Sequence, residues 1–155
     1  MWNCQLKSPE EMKRWAASIP RPCVIAIDGP LGAGKTVFAQ GLGQALHIEA
    51  HIVSPTFTIA NQYPAPIPFL HIDLYRLEDF EATQLGLDEE IEAWEGMVLI
   101  EWASKYPELL PLSYIHIQLS TDPDHPTWRQ AELVAYGQSL AVLQEWMNTW
   151  TPPNA

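Results

Sequence analysis

Eight consecutive residues, 29–36, have the types and spacing of a phosphate-binding loop. Their sequence, GPLGAGKT, matches the Walker A pattern G-x-x-x-x-G-K-[ST] and follows the apolar run 23–27, which predicts a buried strand. In such a loop the glycines let backbone N–H groups face a polyphosphate, the lysine contacts the β and γ oxygens, and the hydroxyl ligates Mg²⁺. The pattern therefore predicts a nucleoside triphosphate ligand with its Mg²⁺, and it does not distinguish ATP from GTP.

Three predicted strands each end in an acidic residue, namely Asp28, Asp73 and Glu101. In an open α/β sheet, ligands bind outside the carboxyl ends of parallel strands. A Mg²⁺ nucleotide needs a hard oxygen ligand there, and hydrolysis needs a group that orients or deprotonates water. Glu101 and Asp73 are the candidates, with a helix cap or a solvated strand end as the alternative. Asp28 directly precedes the loop and is predicted to cap or stabilise its turn.

A proline-containing segment, Ser54-Pro55-Thr56-Phe57-Thr58, lies between the predicted helix after the loop and the next strands. Switch segments of nucleotide hydrolases often place a threonine toward Mg²⁺ and the γ-phosphate. The alternative is a proline turn in which the side chains of Ser54 and Thr56 bond nearby backbone groups.

Apolar periodicity and breakers predict the elements that position these residues. The predicted helices span Pro9 to about Ile19, 35–46 and 138–150, with one or two more between 73 and 97 that break near Gly86. The predicted strands are 23–27, 57–63, 67–73, 97–102, 114–119 and 128–136. This order predicts an α/β fold of the P-loop NTPase type, a mostly parallel sheet flanked by helices, with antiparallel additions at its edges. Glycines 41 and 43 are predicted to permit a close helix–sheet approach.

Length and charge narrow the classes of protein. The chain has 155 residues, of which 47% are hydrophobic, so we expect one domain over 1–150 and a flexible tail over 151–155. The chain has 19 acidic and 8 basic residues and therefore a net charge of −11, which disfavours direct binding of nucleic acid. The chain shows neither a signal-peptide pattern nor a membrane-spanning run, so we expect a cytoplasmic protein that does not contact membranes.

Four short segments, in this order and spacing, make the chain resemble the TsaE family. They are GAGKT at 32–36, SPTF at 54–57, HIDLYR at 71–76 and IEW at 100–102. TsaE is the ATPase of bacterial tRNA threonylcarbamoyladenosine (t6A) biosynthesis. The resemblance spans nearly the whole chain and implies that ATP hydrolysis supports partner proteins, the tRNA threonylcarbamoyl transferase assembly. It implies that the chain does not itself form the carbamoyl linkage, and the acidic surface predicts contact with tRNA only through partners.

The resemblance also implies roles for individual residues. Lys35 binds phosphate, Thr36 and Glu101 hold Mg²⁺, and Trp102 lies beside the metal site. The implied catalytic residues are Asp73, Lys35 and Thr56, where Thr56 is a switch residue and Asp73 assists hydrolysis either as a base or as a group behind the magnesium. The predicted nucleotide contacts are Gly29, Gly32, Ala33, Gly34, Lys35, Thr36, Val37, Trp102 and Arg129.

Two positions of the loop region depart from the family pattern. The family usually has Asp where this chain has Pro30, and a second Thr where it has Val37. Without that hydroxyl one contact to the α-phosphate is lost, while the backbone cradle remains. We therefore expect the departures to affect nucleotide affinity more than function.

Several side chains near the predicted site have two interpretations. His71 shares a strand face with Asp73 and is predicted to be a buried, hydrogen-bonded histidine, the alternative being a phosphate sensor. Arg76 either neutralises phosphate charge or pairs with the acidic segment 78–79. Trp102 either faces a partner, covers the site or packs in the core, and Arg129 either forms a surface ion pair or approaches the nucleotide.

Two other functions use the same loop. A small-molecule kinase is disfavoured because phosphoryl transfer to an acceptor calls for several clamping cations, and the chain has four scattered arginines. A nucleotide-gated adaptor would bind ATP and change its affinity for partners with little turnover.

The predicted final helix has one apolar stripe, with Leu140, Leu143, Met147 and Trp150, which favours core packing over docking.

Overall fold

The computed structural model describes residues 1–56, 58–78 and 85–151. They form an α/β fold with one mixed sheet and helices on both of its faces. The strands are β1 (Trp2–Leu6), β2 (Val24–Asp28), β3 (Ala60–Tyr63), β4 (Phe69–Asp73), β5 (Met97–Glu101), β6 (Tyr114–Thr121) and β7 (Arg129–Tyr136). The helices in this part of the chain are α1 (Pro9–Ala17), α2 (Lys35–Ala45), α3 (Leu87–Ala93) and α4 (Leu140–Thr149). Short 3-10 turns cover Ala103–Lys105, Pro107–Leu109 and Gly137–Ser139.

The seven strands lie in the order β1-β7-β6-β2-β5-β4-β3. The four central strands, β6, β2, β5 and β4, are mutually parallel, and the pairings at both edges are antiparallel. β4 and β5 are buried along their whole length, as expected for parallel strands covered on both faces. The predicted fold class is therefore confirmed.

Helices α1, α2 and α4 cover one face of the sheet. Trp15 of α1 stacks on Trp146 of α4 at a centroid distance of 4.7 Å, and the indole N–H of Trp146 donates to the carbonyl oxygen of Trp15 at 3.0 Å. Phe38 of α2 completes this group of rings. The opposite face is covered by α3 and the turns between 103 and 109, which pack on the outer sides of β4 and β5. The sheet thus has a hydrophobic core on each face.

Most predicted elements are present with shifted ends. α1 ends at Ala17, and the predicted strands 57–63 and 67–73 form the antiparallel β3–β4 pair, although β3 begins only at Ala60. Of the helical stretch predicted between 73 and 97, α3 is described, and it begins after Gly86, whose φ is 71°. Phe57, segment 79–84 and residues 152–155, which are most of the predicted tail 151–155, lie outside the described residues.

Two terminal elements differ from the prediction. β1 was not predicted, although its sequence WNCQL alternates apolar and polar residues; pairing with β7 makes this five-residue segment a strand. In α4, Leu143 is buried as expected, but Leu140 is 49% exposed and Trp146 is fully buried. The buried side of α4 is therefore centred on Leu143 and Trp146, and the predicted stripe was wrong at Leu140. Within the described part of the chain, no helix is both long and apolar enough to cross a membrane.

Gly41 brings α2 close to α1 and not, as predicted, to the sheet. A Cβ atom at Gly41 would lie 2.5 Å from the backbone oxygen of Lys13 and 2.8 Å from the Cβ of Ala16, both in α1. At Gly43 a Cβ would instead meet the side chain of Ile52, at 2.8 Å. The atom nearest to Gly41 belongs to the backbone of α1, which can shift only together with its helix. The atoms nearest to Gly43 belong to a side chain.

We expect Gly41→Ala to lower the free energy of unfolding by about 2–3 kcal/mol, since the added methyl group forces the two helices apart. Helix propensity alone predicts the opposite sign, a gain of about 1 kcal/mol. Gly43→Ala is the matched control in the same helix, and its loss should be smaller because Ile52 can change rotamer. Urea unfolding measures both, and equal stability of the two variants would contradict the close-approach explanation.

Candidate active site

The loop 29–36 joins β2 to α2 and ends at the N-terminus of that helix. Gly32 and Gly34 have φ values of 78° and 106°, which side chains other than glycine rarely adopt. Gly34 is the N-cap residue of α2, and no side chain among the described residues caps this helix. The first N–H groups of α2 are therefore available to an anion, which the helix dipole also favours.

Lys35 lies at the inner end of this loop and is 6% exposed. Its ammonium group donates to the carbonyl oxygens of Gly29 at 2.6 Å and Pro30 at 3.0 Å, and it lies 4.1 Å from the ring centroid of Trp102. Burial lowers the pKa of Lys35, while the surrounding carboxylates, Glu101 first, oppose that shift. The loop thus holds a buried positive charge beside acidic strand ends.

The acidic residues lie at the carboxyl ends of three parallel strands, as predicted. Asp28, Asp73 and Glu101 are each at most 4% exposed, and Asp73 is the register partner of Glu101. On β2, however, the partner of Glu101 is Ile27 and not Asp28. Since side chains alternate along a strand, Asp73 and Glu101 share one face of the sheet and Asp28 lies on the other.

Asp73 accepts three hydrogen bonds. The hydroxyl groups of Ser54 and Thr56 donate to its Oδ2 at 3.2 and 3.0 Å, and the backbone N–H of Tyr75 donates to its Oδ1 at 2.9 Å. The two hydroxyl oxygens are 2.8 Å apart. Segment 54–56 is therefore held by a strand carboxylate, a contact that the sequence did not indicate.

Glu101 contacts a histidine inside the core. The Nε2 of His71 is within hydrogen-bond distance of Oε2 of Glu101, and His71 is fully buried. A carboxylate can only accept hydrogen bonds, so the imidazole is the donor when Glu101 is ionised. The predicted buried, hydrogen-bonded histidine is confirmed.

Lys35, Asp73 and Glu101 border one cavity of about 430 Å³. Most of the predicted site residues line it, together with Leu31, Ser54, Tyr75 and Arg76. Trp102, with φ of 60°, packs its ring 4.8 Å from that of Tyr75 at the cavity. The full lining is Leu31, Gly32, Ala33, Gly34, Lys35, Thr36, Val37, Ser54, Thr56, Asp73, Tyr75, Arg76, Glu101 and Trp102. Gly29 and Arg129 are the predicted residues that do not line it.

The family model of the threonylcarbamoyl adenosine biosynthesis protein TsaE matches residues 6–131. This chain belongs to the TsaE family. The resemblance stated above is thereby confirmed, and with it the family's role in threonylcarbamoyladenosine biosynthesis.

Individual TsaE proteins are similar over most of their length. The tRNA threonylcarbamoyladenosine biosynthesis protein TsaE of a Nostoc species is 44% identical over 124 residues, which cover 77% of this chain and 75% of the relative. That of Bacillus subtilis is 38% identical over 143 residues, covering 89% and 88%. The crystal structure of Bacillus subtilis YdiB superposes with a TM-score of 0.77 at 29% identity, covering 95% of this chain and 94% of that one.

A second cavity of about 270 Å³ also borders the loop 29–36. It shares Gly32, Ala33, Gly34 and Val37 with the first cavity. Its remaining wall comes from the start of α1 and from the segment before β7, neither of which the sequence indicated beyond Arg129. These wall residues are Ser8, Pro9, Met12, Pro126, Thr127 and Arg129.

Arg129 supports the loop through backbone carbonyl groups. Its guanidinium donates to the oxygens of Ala33 and Gly32, each at 3.1 Å, and to those of Pro126 and Trp128, each at 2.8 Å. Of the two interpretations of Arg129, the surface ion pair was wrong, because among the described residues its guanidinium bonds carbonyl groups and no carboxylate. A planar group with five N–H donors suits this arrangement of carbonyl acceptors, which come together only when β7 folds against the loop.

Asp28 binds neighbours on its own sheet face, and the prediction that it stabilises the turn of the loop was wrong. The backbone N–H and hydroxyl of Ser104 donate to its Oδ1 at 3.1 and 2.9 Å, and Nε2 of His116 lies 2.8 Å from its Oδ2. Burial opposes the charge of Asp28, but the hydrogen bonds from His116 and Ser104 outweigh it, so the pKa of this carboxyl is lowered from 3.8. Asp28 thus links β2 to β6 and to the turn after β5.

The lowered pKa of Asp28 predicts a pH-dependent contribution to stability. A depressed pKa stabilises the folded state above the unfolded value of 3.8, and this contribution is lost as the pH falls through the folded value. We expect Asp28→Asn to lower the free energy of unfolding by about 1–3 kcal/mol at pH 7, because three donor groups, two of Ser104 and one of His116, lose a charged acceptor. The difference from the unmodified protein should shrink toward pH 3 in urea titrations. A constant difference from pH 7 to pH 3 would refute this linkage.

Proposed function

We propose that this protein binds Mg²⁺-ATP in the larger cavity and hydrolyses it in the cytoplasm, in support of partner proteins that form threonylcarbamoyladenosine in tRNA. One observation carries the proposal, namely the buried ammonium of Lys35 between an uncapped helix N-terminus and the carboxylates of Asp73 and Glu101. Cation, backbone donors and hard oxygen ligands together are the equipment of nucleoside triphosphate hydrolysis.

The residues present fit a magnesium nucleotide. The glycine backbone and the first N–H groups of α2 would hold phosphate oxygens, as would Lys35 once its ammonium leaves the carbonyls of Gly29 and Pro30. The Thr36 hydroxyl and the Glu101 carboxylate supply the oxygen ligands that Mg²⁺ prefers. When bound, the ion neutralises charge on the β and γ oxygens.

The smaller cavity is the proposed place of the nucleoside. Val37, which directly follows the phosphate loop, borders both cavities, so a chain of phosphates along the loop would end beside the second one. The walls there, Met12, Pro9 and Pro126, are apolar enough to accept a flat base.

Segment 54–56 is the proposed switch. Ser54 and Thr56 border the cavity while their hydroxyls both bond Oδ2 of Asp73, so a turn of either toward a phosphate would free one acceptor position on that oxygen for water. The net charge of −11 supports contact with tRNA through partners of the transferase assembly and not directly.

Phosphate release tests the proposal directly. We expect slow release from Mg²⁺-ATP by the protein alone, faster release with the partner proteins, and none in EDTA. Calorimetry with Mg²⁺-ATP should show binding in the same preparation. Absence of binding heat would refute the proposal, and a small phosphorylated product would indicate a kinase instead.

A further inference from the structure

His71 holds one oxygen of Glu101, and this contact has a consequence for ion selection. We infer that His71 is a positioning residue that leaves Glu101 a single oxygen for a divalent ion and thereby favours Mg²⁺ over Ca²⁺. The inference rests on the proposed function, because it concerns the ion bound with the nucleotide.

The hydrogen bond joins residues on neighbouring strands diagonally. In the β4–β5 register, Glu101 lies opposite Asp73, whereas His71 lies opposite Leu99. The Glu101 side chain therefore leans back along the sheet to bring Oε2 to the imidazole. Its other oxygen, Oε1, has no hydrogen-bond partner among the described residues, and Glu101 borders the larger cavity.

The imidazole ring is fixed by its neighbours. Phe69, two residues earlier on β4, stacks on it with centroids 5.6 Å apart and planes 9° apart, and Tyr63 of β3 stacks on Phe69 at 5.8 Å. His71 is fully buried in this column. A ring held on its face by another ring cannot readily rotate away, so its Nε2 stays directed at Glu101.

The other nitrogen of the ring indicates that the contact with Glu101 is its main polar role. Nδ1 of His71 is buried without a hydrogen-bond partner in the described part of the chain. Such a group is unfavourable in a core, where an apolar side chain would pack without loss. The bond to Glu101 is the compensating interaction that the structure offers.

A carboxylate restricted to one oxygen suits one ion better than the other. Mg²⁺ takes a near-octahedral shell with single oxygens, whereas Ca²⁺ takes six to eight ligands and commonly binds both oxygens of a carboxylate. Because His71 occupies Oε2 and fixes the orientation of the carboxylate, Glu101 presents Oε1 to the ion and so favours one-oxygen coordination. Residues that hydrogen-bond a metal-coordinating side chain typically change metal affinity about 10–100-fold when they are removed.

Two variants that differ by one methylene test this inference. In His71→Gln the side-chain amide can place an N–H near the position of Nε2, whereas in His71→Asn the amide is too short to reach Glu101. The affinity for a non-hydrolysable ATP analogue is measured by calorimetry in EDTA, in Mg²⁺ and in Ca²⁺. Thermal unfolding followed by circular dichroism shows that each variant is folded.

For the unmodified protein we expect Mg²⁺ to strengthen analogue binding at least about tenfold more than Ca²⁺ does. His71→Gln should keep that preference, and His71→Asn should lose it, with affinity in EDTA unchanged within about twofold in both. A retained preference in His71→Asn would overturn the inference.

Analogue binding by the unmodified protein can overturn the inference even if neither variant folds. Analogue binding in EDTA with equal responses to Mg²⁺ and Ca²⁺ overturns this inference and leaves the proposed function standing. No analogue binding under any condition overturns both.

Discussion

Replacing Lys35 with methionine is expected to weaken Mg²⁺-ATP binding about 100-fold or more. Hydrogen bonds to a charged group contribute about 1.5–3 kcal/mol each, and 100-fold in affinity is about 2.7 kcal/mol. The ammonium is buried at the inner end of the loop. Methionine keeps the unbranched side chain that packs beside Trp102, so the loss should come from the charge and not from the fold.

Calorimetry with Mg²⁺-ATP measures this loss, and urea unfolding checks the fold. Burial lowers the pKa of Lys35, so holding its charge costs free energy in the nucleotide-free protein and offsets part of the stability that Lys35→Met loses with the hydrogen bonds to Gly29 and Pro30. Lys13→Met on α1 removes a charge of the same kind away from the loop and should bind normally. Normal binding by Lys35→Met would place the nucleotide elsewhere.

Asp73→Asn is expected to reduce phosphate release about 100–1000-fold while Mg²⁺-ATP binding changes less than about threefold. The amide oxygen can still accept from the backbone N–H of Tyr75, and the hydroxyls of Ser54 and Thr56 can accept from the amide nitrogen. The fold and segment 54–56 are therefore kept, whereas the negative charge that we propose orients or deprotonates water is removed.

This substitution also separates an ATPase from a nucleotide-gated adaptor. If turnover drives the partner assembly, Asp73→Asn should stop formation of threonylcarbamoyladenosine in a reconstituted reaction, although nucleotide still binds. An adaptor would retain that output, and this result would overturn the ATPase proposal. Asp124→Asn, an exposed carboxylate between β6 and β7, is the control for charge removal and should leave release and output unchanged.

Local pattern was sufficient wherever neighbours in the chain set the geometry. The loop 29–36 was predictable because its glycines, lysine and threonine act through consecutive backbone groups between one strand and one helix. The convergence of Asp73 and Glu101 followed from a general property of parallel sheets, whose carboxyl ends meet at one edge. The family segments at 71–76 and 100–102 added the same two strand ends.

Pairing between distant segments determined what pattern could not supply. Asp28 faces away from Asp73 and Glu101 because the register pairs Ile27 with Glu101, and register is a property of two strands together. Arg129 meets the carbonyls of the loop only after β7 joins the sheet next to β6. Gly41 allows close packing because of α1, a helix far away in sequence.

The residue types of the candidate site were therefore predictable from the sequence, since the loop 29–36 and each acidic strand end are short local patterns. The contacts among the side chains of the candidate site depend on the tertiary structure. His71 bonds Glu101, and Ser54 and Thr56 bond Asp73, across 30, 19 and 17 residues of chain respectively. No periodicity or spacing encodes which side chains meet over such separations, because sheet register and helix packing bring them together.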